Sequence, residues 1–376
     1  MVFFKENDMK IKLFAAAAAS LVSAGAFAQS SVSLYGTVDA GVEWVNNGPG
    51  NGGSRTAVQS GSEMTGSRWG LRGVEDLGGG LKGIFNLESG FTLDDGKSAQ
   101  LDANGNSRLF GRAAYVGLQG QWGQLTLGRQ TNLLYDFTTK YDPMALTSRY
   151  SILSQDPAMG GRADNAVKYV GTFGGLTASG LYSTRNDGQE VAGNNHVGRE
   201  WSAGVNYATG PFSVGAVYDQ SNSNGGILIP NTSAKQQRAT VAGTYAFGPA
   251  KLFAGYRWSN ASADYLAANL PNVRSNLYWL GAGYQATPAV SLTGAAYYQQ
   301  DKGSNVGSPW LFVVGSDYAL SKRTDAYLNL AYAKNSSGSI LGVAGMGDVQ
   351  YTPAVGTTPA ESSNQMGAMV GLRHKF

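Results

Sequence analysis

Residues Ser31 to Trp44 alternate without a break. Val32, Leu34, Val38, Ala40, Val42 and Trp44 fall on one face, and Ser33, Tyr35, Thr37, Asp39 and Glu43 on the other. A period of two over this length predicts a strand with one apolar and one polar face. Gln365 to Phe376 repeat the pattern, with Met366, Ala368, Val370, Leu372 and Phe376 against Gln365, Gly367, Arg373 and Lys375. Between these ends, short turns and long polar loops take turns. The turns fall at 76–80, 120–123, 173–175, 209–211, 247–249, 286–288 and 321–323. The loops fall at 46–62, 92–107, 131–161, 187–197, 222–234, 262–272, 301–308 and 336–363. Seven turns and eight loops make fifteen connections, hence sixteen strands. Proline cannot donate to a strand ladder, and all eleven prolines lie in the connections or at their edges.

An even number of meandering strands, with tight turns on one side and long loops on the other, describes an outer-membrane barrel. In lipid every backbone donor and acceptor must pair within the protein, so the sheet has to close on itself. The apolar set then faces lipid and the polar set the interior. The expected fold is all-β, a 16-stranded antiparallel transmembrane β-barrel over 29–376. Trp44, Trp69, Trp122, Trp201, Trp258, Trp279 and Trp310 lie near predicted strand ends, where a membrane interface favours amphipathic rings. The competing architecture is a secreted soluble β-sandwich or barrel.

The N-terminus and composition sharpen this picture. Lys10 and Lys12 precede an apolar run from Leu13 to Val22, and Ala26-Phe-Ala28 precedes Gln29. That is a secretory signal peptide over 1–28, cleaved between Ala28 and Gln29. Met9 is the expected start, with Met1–Asp8 an over-extended beginning. Charged residues make up 14% of the chain, against roughly 25% in soluble domains. After the N-terminus no apolar run approaches the roughly eighteen residues of a membrane helix. The absence of cysteine excludes a disulfide framework and thiolate chemistry, and a net charge of +3 does not point to nucleic acid.

Residues 131–161 stand apart. They show neither helical nor strand periodicity, yet Leu133, Leu134, Tyr135, Phe137, Tyr141, Met144, Leu146 and Tyr150 are too apolar for a disordered linker. A connection this long is expected to be functional.

Several motifs carry a family resemblance. Ser67-Arg-Trp-Gly-Leu-Arg-Gly-Val-Glu-Asp-Leu-Gly-Gly-Gly-Leu-Lys82 resembles the second-to-third strand hairpin of Gram-negative general porins of the neisserial and β-proteobacterial type. Gly111–Leu118, Leu127–Gln130, Arg162–Tyr169 and Val370–Phe376 follow in the family's order. The resemblance implies a homotrimer of sixteen-stranded barrels, each with a water-filled pore. It also implies a third external loop, 131–161 here, folded inward as a constriction, although the Pro-Glu-Phe-Gly motif many porins carry there is missing. Phe376, with the alternating residues before it, resembles the signal read by the barrel assembly machinery. Outer-membrane lipid, lipopolysaccharide, and small hydrophilic solutes and ions complete the expected partners.

Pore selectivity comes from rings of charge and from width. Arg68 and Arg72 share one parity, and Trp69 and Leu71 the other. An arginine facing lipid near mid-membrane costs roughly 2–4 kcal/mol, so the arginines belong to the lumen. Arg112 matches a lumen-facing arginine of the family, although Val116 and Leu118 share its parity. Arg162 and Lys168 open the strand after the long loop, and Arg129 sits at the preceding corner, where either face is open to it. The expectation is a basic wall of Arg68, Arg72, Arg112 and Arg162 or Lys168 facing Asp136 and Asp142 on the loop. With wall cations in excess, a weak anion preference follows.

Other chemistries are weaker. Gly281-Ala-Gly-Tyr-Gln-Ala286 satisfies a dinucleotide fingerprint, but Thr287-Pro288 and another strand follow instead of a helix. His196 and His374 lie far apart, with no cysteine to complete a zinc site. No G-x-S-x-G elbow occurs. We therefore expect a channel with no enzyme activity, cofactor or metal. A substrate-specific sugar or amino-acid channel is the alternative, with an outer-membrane enzyme behind it.

Overall fold

The computed structural model describes residues 31–59, 64–102, 104–190, 192–224, 233–263, 265, 272–302, 307–353 and 361–376. The expected signal segment and its cleavage point lie outside the described residues.

Sixteen long strands form one closed meander. They are β1 Ser31–Val45, β2 Arg68–Gly78, β3 Leu81–Gly90, β4 Ala113–Gly120, β5 Gly123–Thr131, β6 Arg162–Phe173, β7 Leu176–Ser183 and β8 Glu200–Thr209. The second half runs β9 Phe212–Asn222, β10 Lys235–Phe247, β11 Ala250–Ala261, β12 Val273–Gln285, β13 Val290–Asp301, β14 Trp310–Ala319, β15 Thr324–Lys334 and β16 Gln365–Lys375. Each pairs antiparallel with the next. Closure falls on β1, whose Thr37–Val45 pairs with Lys375–Gly367 of β16 while Ser31–Thr37 pairs with Val74–Arg68 of β2. Among the described residues no helix is long and apolar enough to cross a membrane.

Burial is inverted relative to a soluble protein. On β1, Thr37, Asp39 and Glu43 are buried while Val32, Leu34, Val42 and Trp44 are exposed. Farther round the wall Asp219, Arg238 and Arg257 are buried, and Val205, Val241 and Leu280 are exposed. Buried polar groups beside exposed apolar ones are the informative departure from a soluble core. They fit a wall with lipid outside and water inside. The turn from β2 to β3 passes through Gly78, Gly79 and Gly80, at φ of +87°, +62° and +80°. Only glycine adopts three such conformations in succession without strain.

Among the described residues, three expected loops hold regular structure. Within 46–62, Arg55–Gln59 forms a strand against Gly41–Val45, lengthening the β1 edge beyond the reach of β2. Within 336–363, Tyr351–Thr352 pairs with Glu361–Ser362. The stretch 131–161, without evident periodicity in sequence, begins as helix α1, Leu133–Tyr141. The side chain of Asn132 accepts from the Tyr135 amide and caps its N-terminus. Leu133, Leu134, Phe137 and Tyr141 are buried, a helical spacing on one face. At nine residues, stopped by Pro143, the helix is too short to raise a periodic signal above the surrounding loop. Two 3₁₀ turns, Ile152–Ser154 and Pro157–Gly160, complete the segment.

Candidate functional site

The segment from α1 to Gly161 touches a succession of wall strands. Its wall partners Glu43, Gly215, Arg238, Arg257, Trp279, Gly281, Tyr297, Gly315 and Gly367 belong to the set opposite the exposed apolar side chains. Tyr141 seats its ring over Gly215 of β9, where an added methyl would lie 2.9 Å from it. The Tyr141 carbonyl accepts from the Trp279 indole of β12 at 2.9 Å. Pro143 sits on Gly281 of β12 so closely that a methyl there would collide with it. Tyr297 of β13 donates to Asp142. Met144 covers Gly315 of β14, and Tyr150 covers Gly367 of β16. Arg149 pairs with Glu43 of β1 at 2.9 Å. The chain then turns back, and Asp156 stands 3.1 Å from both Arg238 of β10 and Arg257 of β11. Loop 336–363 clasps the segment from one side: Arg149 reaches Asp348 at 3.4 Å, and Ser154 donates to the Val343 carbonyl at 2.8 Å.

Beside the root of this segment lies a cluster of cations. Glu88 of β3 accepts from Arg112 Nε at 2.6 Å and from the Tyr35 hydroxyl at 2.9 Å, with Arg68 Nε at 3.7 Å. Arg72 lies over the Tyr35 ring, its guanidinium carbon 5.2 Å from the centroid. Arg162 donates to the Arg112 carbonyl at 3.0 Å and lies 5.2 Å over the ring of Tyr135 on α1. Both guanidinium contacts are within cation–π range. The next residue of α1 is Asp136, which pairs with Lys168 of β6 and accepts from the Thr131 hydroxyl at 2.8 Å. Asp136 and Lys168 border a recess of about 500 Å³ that Tyr115, Gln124, Thr126 and Gln130 also line. Along this arc five cations (Arg68, Arg72, Arg112, Arg162 and Lys168) face two carboxylates, Glu88 and Asp136.

The expected residues do not all come together. Arg68, Arg72, Arg112 and Arg162 come together around Glu88 and α1, and Lys168 meets Asp136. The parity conflict at Arg112 dissolves because Arg112 precedes β4 and lies outside its regular alternation. Arg129 stands at a bulge in the β5 register, where Asp164 holds it at 2.5 Å together with Arg108 at 2.7 Å. Asp142 is the correction. It is 1% exposed, caps the C-terminus of α1, and takes its hydrogen bonds from Tyr297 and the Leu146 amide. It therefore anchors the loop and does not face the arginines. Phe376 pairs its backbone with Gly36 of β1, closing the barrel seam.

Asp156, Arg238, Arg257 and Glu88 were not singled out by sequence. Burial pushes the Asp156 carboxyl up, but Arg238 and Arg257 outweigh it and hold it below the usual aspartate range. Among the described residues, no three His, Asp or Glu side chains converge to hold a metal ion.

A family model described as Gram-negative porin matches residues 15–338. The chain belongs to the Gram-negative porin family. It is 33% identical over 380 residues to outer membrane porin protein 32 of Delftia acidovorans, covering 98% of this chain and 100% of the relative. It is 31% identical over 412 residues to an outer membrane porin protein of Bordetella pertussis, with the same coverage. A solved anion-selective porin from Comamonas acidovorans superimposes with a TM-score of 0.76 at 30% identity, covering 93% of this chain and 100% of that one. This porin is thus a channel-forming barrel of the Gram-negative outer membrane. Family and relatives alike point to a channel rather than to an enzyme.

Proposed function

We propose that the segment 131–161 lies within the barrel and narrows it. In this reading the channel passes small hydrophilic solutes and ions, with a weak preference for anions. One observation carries the selectivity: five cations stand against two carboxylates on the arc of wall beside α1. Confined charge of one sign raises the local concentration of the opposite ion. The path of the loop supports the constriction, since its wall contacts from β9 to β16 all fall on the polar set. That the Comamonas acidovorans porin is described as anion-selective supports the sign.

The reversal potential under a KCl gradient tests this reading. We expect an anion-selective sign in the parent. The triple replacement of Arg68, Arg72 and Arg112 by Gln moves the potential toward the cation limit. An unmoved potential would sink the proposal.

The same reading takes the working unit as a homotrimer. The outward faces of β16 and β1–β5 carry the aliphatic Val370, Leu372, Val32, Leu34, Val116 and Leu127, a surface suited to packing against another barrel. Conductance appearing in three equal steps tests it. Export by the signal segment and assembly through Phe376 belong to the same proposal.

A further inference from the structure

Between the segment 131–161 and the wall, toward the long loops, lies a small cavity of about 180 Å³. Asn132 and Leu134 at the head of α1 and Ala158 in the second 3₁₀ turn bound it on one side. Glu200 of β8 and Asp219 of β9 bound it on the other. Both carboxyl groups are buried, Glu200 at 4% exposure and Asp219 at 2%.

The two are unequally supplied with donors. Glu200 accepts from Asn132 at 3.1 Å and from Asn186 at 3.0 Å. Asp219 lies within hydrogen-bonding reach of Glu200, which sets carboxyl oxygen against carboxyl oxygen. Among the described residues its Oδ2 has no partner. The charge of Arg238 is felt at Asp219, but its Nε and one Nη go to Asp156, at 3.1 and 3.3 Å. Ser202, opposite Asp219 in the β8–β9 register, is also buried with a hydroxyl that meets no partner.

A buried carboxylate without a donor is costly, and two ionised carboxylates side by side repel. The pair calls for a positive group that carries N–H donors. The rest of the lining says which kind. A calcium ion takes about six to eight oxygen ligands, and among the described residues no three His, Asp or Glu side chains converge here. A space of about 150 Å³ already holds a benzene-sized molecule, so this one has room for an organic cation. Leu134 and Ala158 give it an apolar side for a short stem. Arg162 borders the cavity too, but its guanidinium lies over Tyr135 and donates to the Arg112 carbonyl.

We propose that this cavity binds a small primary alkylammonium. The ammonium group sits between Glu200 and Asp219, and the alkyl stem lies against Leu134 and Ala158. The bound cation thereby bridges the wall to both ends of the segment, at the head of α1 and at the second 3₁₀ turn. A ligand that prefers the seated segment stabilises it in proportion to occupancy. The inference does not rest on the segment narrowing the channel.

Isothermal titration calorimetry of butylammonium into the full-length refolded porin tests it, beside butan-1-ol, which has the same stem and no charge. We expect one saturable site per chain for butylammonium and none for butanol. A hydrogen bond to a charged group contributes on the order of tenfold to a hundredfold in affinity, so Asp219→Asn should weaken binding by about that factor. Ala158→Leu, which keeps both carboxylates and fills the space, should weaken it as well. The β-sheet circular dichroism of the parent reports that each variant is folded. In the parent, amide exchange across 132–141 should slow when butylammonium is bound. No saturable binding to the parent, equal binding of butanol, or parent-strength binding in either folded variant would overturn the proposal. Unchanged exchange on binding would place the amine elsewhere and overturn it as well.

Discussion

Tyr297 donates its hydroxyl proton to Asp142 across 2.5 Å, joining the end of α1 to a strand 155 residues further along the chain. Burial pushes the Asp142 carboxyl up to about 6, against the hydrogen bonds from Tyr297 and the Leu146 amide. Between about pH 4 and 6 the docked loop therefore keeps a proton that an unfolded aspartate has released. The stabilisation is complete below that window and is lost as pH rises through 6. A carboxyl raised this far above the ordinary aspartate value represents about 3 kcal/mol. Amide hydrogen exchange across 142–150, corrected for intrinsic rate, should be better protected at pH 4.5 than at pH 7.5. Asp142→Asn, which retains a hydrogen-bonding side chain but cannot ionise, should flatten that dependence. A pH dependence persisting in Asp142→Asn would assign it elsewhere.

Asp156 carries the opposite sign. Its carboxyl is held below the usual range by Arg238 and Arg257 despite burial. Its contribution is present above the unfolded value and fades only as the solution becomes strongly acidic. Arg257 is 1% exposed, so Asp156→Ala leaves a buried guanidinium unpaired, at a cost of about 3–5 kcal/mol. The expected result is a lower temperature for loss of β-sheet circular dichroism and faster proteolysis within 150–161. Replacing Asp156 and Arg257 together by Leu and Met should recover much of the loss, because it removes a buried ion pair whole while Arg238 keeps the charge of Asp219 beside it.

Gly281 gives a local test of the loop's seat. A methyl there collides with Pro143, whereas one on Gly294, the outward-facing glycine of β13, meets nothing within 4 Å. Overpacking of this kind costs about 1–3 kcal/mol. Gly281→Ala should displace the loop and change single-channel conductance; Gly294→Ala should leave it at the parent value. Equal conductance in the two variants would detach Pro143 from the channel's width.

The barrel was legible because a lipid-spanning strand shows its period directly. Each apolar set had to face outward, so Trp69 and Leu71 placed Arg68 and Arg72 inward without reference to any other strand. The glycines at 281 and 283, which mimic a dinucleotide fingerprint, became intelligible only once Pro143 was seen resting on Gly281. The loop was less legible because its partners are remote: Asp156 meets Arg238 from 82 residues away and Arg149 meets Asp348 from 199. No local pattern distinguishes Asp142, which is buried against a tyrosine, from Asp136, which meets Lys168. Glu88 was within reach. Asn86 and Glu88 alternate with Phe85 and Leu87, and the glycine turn sets Gly70 opposite Glu88, between the two arginines.

Glu88 also offers the sharpest test of the charge arc. It accepts from Arg112 and Tyr35, lies within 3.7 Å of Arg68, and is one of two carboxylates against five cations. Glu88→Gln keeps the side chain's length and an acceptor for Tyr35 but removes one negative charge. If the arc sets selectivity, the reversal potential moves further toward the anion limit, while Arg112→Gln moves it the other way. Both displacements should shrink as salt rises, since the screening length falls from about 10 Å at 0.1 M to about 3 Å at 1 M. Glu88→Asp separates charge from structure: it retains the carboxylate on a shorter stem, so its potential should stay near the parent even if the Arg112 contact lengthens. Shifts of equal size in Glu88→Gln and Glu88→Asp would mean that geometry, and not charge, governs the passage.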